Sequence, residues 1–172
     1  MKKLIIFSIC ILFNTNIFAQ SSKDKNFVVE QANLFLKACN NGDVDAVLQG
    51  FYTPYLVNLG IKETEIKSYF TTLYKQYGEM GQEYQNITIS KPTEIIVKNN
   101  VWQCIVPYKT IINNTSQKMR IDSKASLWAI SKDNGKTWHF LDFLQFDQNK
   151  ITSIISIFDT DLKLLPLEQT KL

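Results

Sequence analysis

Two hydrophobic rhythms follow one another along the chain. Between Phe27 and Met80 apolar residues return every third or fourth position, and beyond Gly81 they alternate. The first rhythm belongs to helices with one buried stripe and the second to strands. Val28, Ala32, Phe35 and Cys39 form one stripe with Leu36 beside it, which predicts a helix over Phe27–Cys39 with Asp24 as its N-cap. Asn40-Asn41-Gly42 ends that helix, because Asn and Gly accept the left-handed conformation at a helix C-terminus. Asp43 caps a second, short helix, Val44–Phe51, that buries Val44, Val47 and Leu48. Tyr52–Gly60 reads as a loop punctuated by Pro54 and Gly60, with Tyr55, Leu56 and Leu59 turned inward. Ile61–Met80 is the longest helix. Ile66, Tyr69, Phe70, Leu73 and Tyr77 line one side of it, and Lys62, Glu63, Lys67, Thr71, Thr72, Lys75 and Gln76 the other.

The alternating half holds four strands. Asn86–Ser90, continued as Glu94–Lys98 after Pro92, makes the first and Val101–Ile112 the second. Pro107 marks a bulge or an edge in the second, because proline cannot donate to a ladder. Lys118–Ile130 is the third strand and Thr137–Phe146 the fourth. Short turns at Asn99-Asn100 and at Asn113–Ser116 predict an antiparallel meander. Ile151–Phe158 reads as a short helix after a cap at Asp147, and packed structure is expected to end at Pro166. Helices first and a curved antiparallel sheet afterwards make an α+β arrangement, with the helices as the cover for one sheet face. The organisation expected is a single domain over residues 24–166 with a short C-terminal tail over 167–172.

The junction of the last two strands carries the most specific pattern. Ser131-Lys132-Asp133-Asn134-Gly135-Lys136-Thr137-Trp138 contains Asn-Gly, a strong hairpin signal, since a type I′ turn needs positive φ at both central residues. The same eight residues match the Asp-box pattern Ser-x-Asp-x-Gly-x-Thr-Trp, which recurs blade by blade in β-propeller sialidases. A propeller needs repeats of about 40 to 50 residues, and the pattern occurs here once. Ser131, Asp133, Gly135 and Trp138 are therefore read as a reinforced structural hairpin, with Asp133 accepting the backbone donors of the turn. The register it sets puts Trp138, Phe140, Asp142, Leu144 and Phe146 on one face and His139 on the other.

The N-terminus changes the picture of charge and compartment. Lys2-Lys3, the apolar run Leu4–Phe13 and the small-residue site ending at Ala19 have the form of a signal peptide over residues 1–19. The apolar run is too short to span a bilayer. Cleavage after Ala19 would deliver the protein to the periplasm or the medium, without a stable membrane span. The whole chain has 19 basic and 16 acidic residues, and losing Lys2 and Lys3 leaves 17 against 16. No basic stripe interleaved with aromatics runs along it, so nucleic-acid binding is not supported.

Candidate chemistry is sparse. Cys39 and Cys104 are the cysteines beyond the signal segment. Export would permit a disulfide between them, but their apolar positions read as two free buried thiols. One histidine and two separated cysteines cannot build a usual zinc site, and no cofactor is expected. Asp142 in an apolar row is a weak candidate general base, because burial raises a carboxylate pKa unless the group is paired. His139, the single histidine, is a second weak candidate, and no catalytic residue is assigned. Tyr52, Tyr55, Tyr69, Trp102, Tyr108 and Trp128, with Asp142, form the candidate lining of a ligand pocket between helices and sheet.

The order of elements carries a family resemblance. Helix Phe27–Cys39, the Asn41-Gly42-Asp43 junction, helix Val44–Phe51, helix Ile61–Met80 and a four-strand meander resemble the nuclear-transport-factor-two-like (cystatin-like cone) superfamily over nearly all of the mature chain. The stretch Leu127–Phe140 resembles uncharacterised exported bacterial members with a single Asp-box-like hairpin. The resemblance implies a cone-shaped sheet wrapped around helices with a pocket at its open end. Some members are acid–base enzymes such as ketosteroid isomerase, scytalone dehydratase and polyketide cyclases, which use an Asp or an Asp–His pair with pocket tyrosines. Others only bind. The histidine-bearing motifs of the dehydratases are not recognisable around His139. The function expected is an exported, non-catalytic domain binding a small apolar ligand or a protein or peptide partner, with a homodimer left open. The alternatives are an acid–base enzyme of isomerase, dehydratase or cyclase type on a small organic substrate, and a cell-envelope interaction module.

Overall fold

The computed structural model describes residues 23–162 and 164–172. The expected signal segment, residues 1–19, lies outside the described residues. Helix α1 covers residues 23–41, followed by α2 (Val44–Gly50), α3 (Pro54–Asn58), a 3₁₀ turn (Glu63–Glu65) and α4 (Ile66–Glu79). The strands are β1 (Gln82–Ile89), β2 (Ile96–Lys98), β3 (Val101–Asn114), β4 (Met119–Ser131), β5 (His139–Asp142) and β6 (Glu168–Lys171), with α5 (Gln148–Ile154) between the last two. The fold is α+β: helices packed with a six-stranded, antiparallel, curved and unclosed sheet.

The helical stripe packs as its spacing demands. Val28, Ala32, Phe35, Leu36 and Cys39 of α1 are all buried. Gly42 turns the chain at φ 64°, and the Asp43 N–H closes the end of α1 on the Ala38 carbonyl. The Asp43 carboxylate then accepts from the Ala46 N–H at 3.1 Å and starts α2. The Phe51 end of α2 bridges to Phe140 of β5, and the Tyr52 N–H donates to the Phe140 carbonyl at 3.1 Å.

β3 and β4 form one long hairpin, paired from Trp102–Ser131 to Asn114–Met119. Each has its outer edge taken up in two lengths. Along β3, β1 pairs as far as Ile89–Tyr108, and β2 takes over at Ile96–Gln103. Along β4, β6 pairs up to Lys124–Glu168, and β5 takes over at Leu127–Asp142. Pro107 lies in the gap between β1 and β2, where its carbonyl still accepts from the Ser90 N–H at 2.8 Å. The proline thus sits at a local edge inside a central strand, where a missing N–H costs no ladder bond.

Cross-strand partners share a face. Cys104, Val106, Tyr108, Ala125, Leu127, Ala129, Phe140 and Asp142 therefore lie together on the helix-covered side, where the Phe35 ring stacks on Phe140 at 5.3 Å. The opposite side is covered as well. Gln103, Ile105, Trp128, Ile130 and Leu141 are buried there too, and the Phe158 ring meets Trp128 edge-on at 4.9 Å. Gln103 fastens that cover. Its Nε2 donates to the Ile157 carbonyl at 2.7 Å, and its Oε1 accepts from Trp128 Nε1 and the Asp159 N–H, each at 3.2 Å.

The structure corrects the sequence reading at several points, and α1 rather than α4 (Ile66–Glu79) is the longest helix. The helices are not the only cover, because the chain from Ile155 to Leu162 packs on the second face. Asp24 lies inside α1 and is not its cap. The stretch after Tyr52 contains α3, with Pro54 at its first turn, where a missing N–H is no loss. The fourth strand stops at Asp142. Strand β6 follows Pro166, where the chain was expected to leave the packed structure. By contrast, Asp147 caps α5 as expected, accepting from the Asn149 and Lys150 N–H groups.

Replacing Gln103 by Ala would leave a carbonyl, an indole N–H and an amide N–H without their partner in a buried site. Each such loss costs about 1 to 3 kcal/mol. Gln103→Ala should lower the unfolding free energy by about 3 kcal/mol or more, read as a lower denaturant midpoint in urea unfolding followed by tryptophan fluorescence.

Candidate functional site

Asp142 is the last residue of β5 and faces the helices from beside Leu127. Tyr108 of β3 shares that face, separated from it by the small Ala125 of β4. The phenol therefore reaches across, and its oxygen stands 2.8 Å from both carboxylate oxygens of Asp142, donating its one proton between them. Oδ1 of Asp142 also accepts from the Leu144 N–H at 2.9 Å. The carbonyl of Asp142 accepts from the Gln145 and Phe146 N–H groups. These bonds turn the chain out of the sheet, so the alternation read through Leu144 and Phe146 stops at Asp142.

The carboxylate is 2% exposed. Burial pushes its pKa up to about 6, against the opposing pull of the Leu144 N–H and the Tyr108 hydroxyl. Burial, and then the nearby carboxylate, hold the Tyr108 hydroxyl well above the usual tyrosine range. An outer ring of groups feels the same charge. Burial pushes the Cys39 thiol of α1 up to about 12, with Asp142 adding to the rise. Tyr77 of α4 and Tyr84 of β1 are raised by burial first and by Asp142 among their neighbours. Tyr74 is raised by burial and by Cys39. The rings of Tyr74 and Tyr77 meet edge-on at 5.9 Å. Tyr74, Tyr77 and Tyr84 are half-buried, so exposure increases from the enclosed Asp142–Tyr108 pair outward to the rim between α4 and β1.

Two buried donors in this cluster are poorly matched. The Tyr74 hydroxyl has only the Cys39 sulfur against it and Gln145 Nε2 only the Tyr84 hydroxyl, and neither contact is a well-formed hydrogen bond. Buried polar atoms are seldom left so.

The residues expected to line one pocket are dispersed. Tyr108 and Asp142 are brought together. Trp128 lies on the opposite face, where Tyr52 packs on it with ring centroids 6.0 Å apart. Tyr55 packs edge-on to Phe146 at 5.1 Å, and Tyr69 lines an outer groove along α4 with Ile61 and Leu73. Trp102 lies against the hairpin turn, where a Cβ at Gly135 would stand 3.1 Å from its ring. Tyr74, Tyr84, Gln145 and Cys39 belong to the Asp142 cluster without having been singled out from the sequence for it. The Phe70, Tyr74, Tyr77 spacing on one helix carried part of that signal.

The hairpin forms with the expected chemistry. Asn134 and Gly135 take φ of 60° and 79°. Oδ1 of Asp133 accepts from the Ser131 hydroxyl and from the Lys136 and Thr137 N–H groups, while Oδ2 accepts from the Thr137 hydroxyl at 2.8 Å. Trp138 Nε1 donates to the Gly135 carbonyl at 3.1 Å. His139 is half-buried on the face opposite Asp142, paired with Ile130. Cys39 and Cys104 are both buried and free. Among the described residues no group of acids, histidines and cysteines could hold a metal ion, and no helix is long and apolar enough to cross a membrane. Comparison with protein-family models and with curated proteins found no match to this chain.

The raised pKa of Asp142 has a signed consequence. Between pH 4 and 6 the folded state keeps a proton that the unfolded state releases, so this group makes stability fall as pH rises through that window. A rise from 3.8 to about 6 corresponds to roughly 2 to 3 kcal/mol. Asp142→Asn keeps an acceptor for the Leu144 N–H and removes the titration. Urea unfolding of both proteins at pH 4, 5, 6 and 7 should show the stability difference shifting in favour of the variant across the window and constant above it.

Proposed function

We propose that the protein is an exported domain that binds a small, largely apolar ligand at the tyrosine-lined rim between α4 and β1, and does not turn it over. The observation that carries this reading is the pair of poorly matched buried donors, the Tyr74 hydroxyl against Cys39 and Gln145 Nε2 beside Tyr84, next to a carboxylate already engaged by Tyr108 and Leu144. A ligand with polar acceptors for these donors and an apolar body against the tyrosine rings would give each a better partner. The full engagement of Asp142 supports binding over catalysis, because a general base must reach its substrate's proton. Export rests on the signal-like pattern of residues 1–19. We also propose membership of the nuclear-transport-factor-two-like superfamily, supported by helices that precede a curved antiparallel sheet.

One observation favours the acid–base enzyme as a second reading: a carboxyl raised to about 6 in contact with a tyrosine hydroxyl. Such a pairing is typical of tuned active sites.

Native mass spectrometry of the protein purified from the cells that make it should reveal a bound small molecule. A hundredfold excess of that compound over its Kd should stabilise the fold by about 3 kcal/mol, seen as a higher melting temperature, and Gln145→Leu should weaken binding at least tenfold. Absence of a bound mass, together with no melting shift across a metabolite panel, would overturn the binding reading. Conversion of the compound by the protein, abolished in Asp142→Asn, would establish the enzyme in its place.

A further inference from the structure

A second site lies on the other face of the sheet, at the base of the Asp133 hairpin, and does not rest on the cluster around Asp142. A cleft of about 280 Å³ opens there between the start of α3 and the end of the β4–β5 connection, lined by Tyr52, Thr53, Lys132, Asp133, Thr137 and His139 among others. Its free hydrogen-bonding capacity is one-sided, although Lys132 and Asp133 bring one charge of each sign. The only acid in the lining, Asp133, has its oxygens occupied by the hairpin's own donors. The donors around it are unspent. Lys132 Nζ stands 5.3 Å above the Tyr52 ring, and no acid of the described residues pairs with it. The imidazole of His139 makes no hydrogen bond among the described residues, and the Thr53 side chain makes no capping bond at α3.

We propose that this cleft binds a small carboxylate, held by the Lys132 ammonium, the His139 ring N–H and the Thr53 hydroxyl, with the Tyr52 ring as its apolar wall. Charge-assisted bonds from nitrogen donors to a carboxylate are among the stronger polar contacts available at a partly exposed site. The volume suits a small ligand or the end of a longer one. The same chemistry is offered by a free carboxylic acid, by an acidic sugar and by a peptide C-terminus. Affinity should rise as pH falls. Burial, opposed by Asp133 and assisted by Lys132, holds His139 below its ordinary pKa. A bound anion favours the protonated ring and so moves that pKa upward. The charged and titratable groups facing it are Lys132 and Asp133 of the hairpin and Tyr52 of the α2–α3 link.

His139 is the single histidine of the chain, so in untagged protein the one imidazole Cε1–H signal reports on the cleft alone. The full chain is titrated with acetate, with glucuronate and with Ala-Ala, and in parallel with glucose and with the amide of Ala-Ala, at several pH values from 5 to 8. The expected result is a saturable shift of the His139 signal with one or more carboxylates and none with their neutral counterparts. Which carboxylate saturates at the lowest concentration identifies the source. Lys132→Gln, at an exposed position, should weaken that binding at least tenfold without changing the melting temperature, and His139→Gln should remove its pH dependence. The proposal is overturned if no carboxylate shifts the signal saturably, if the neutral compounds act equally, or if Lys132→Gln binds as well as the parent protein.

Discussion

Everything else in this protein is fastened to the β3–β4 hairpin. Two long antiparallel strands alone would expose four unsatisfied surfaces, two edges and two faces. The edges are closed by two short strands each, β1 and β2 on β3 and β5 and β6 on β4. One face takes α1, α2 and α4, and the other takes the segment that follows α5. Because both faces are covered, Gln103, Cys104, Ile105 and Val106 are buried in succession, as in a strand with no solvent side.

Gln103 on one face and Asp142 on the other are buried polar groups that organise their surroundings, and the two work in different ways. Gln103 is neutral and its amide is matched at both ends by the chain it holds down. Neutral, satisfied groups cost little to bury and specify what packs on them. Asp142 is ionisable and has two donors, the Tyr108 hydroxyl and the Leu144 N–H, for a charge that burial disfavours. Its pKa rises because desolvation exceeds what one phenol and one amide return. A structural role alone would be served by Asn at this position. The Asp142 side thus holds a buried titratable group, while the Gln103 side is a fastening.

The Asp133 hairpin links the two faces. Its turn geometry, its acid and its tryptophan are consumed internally, so the motif spends its chemistry on shape. What it leaves over are the residues it positions without using. Lys132 is swung over Tyr52, and His139 is placed opposite Ile130. The side chains with free bonding capacity are therefore those between and beside the motif positions.

The sequence by itself determined the local structure. Periodicity set α1, α2, α4 and the long strands, Asn40–Asp43 set the turn between the first helices, and Asn134-Gly135 set the final hairpin, because each depends on neighbours within a few residues. It also placed Asp142 and His139 on opposite faces, which follows from strand geometry. Tertiary structure decided the rest. Nothing local shows that Gln103 would meet Ile157, or that the residues beyond Pro166 would pair with β4, since these contacts join positions more than forty residues apart. Tyr52 and Trp128 were separated from Tyr108 and Asp142 only by the sheet between them. Aromatic residues look alike in a sequence, and the face each one occupies is a property of strand register and of what covers the sheet. The candidate sites depend on that choice.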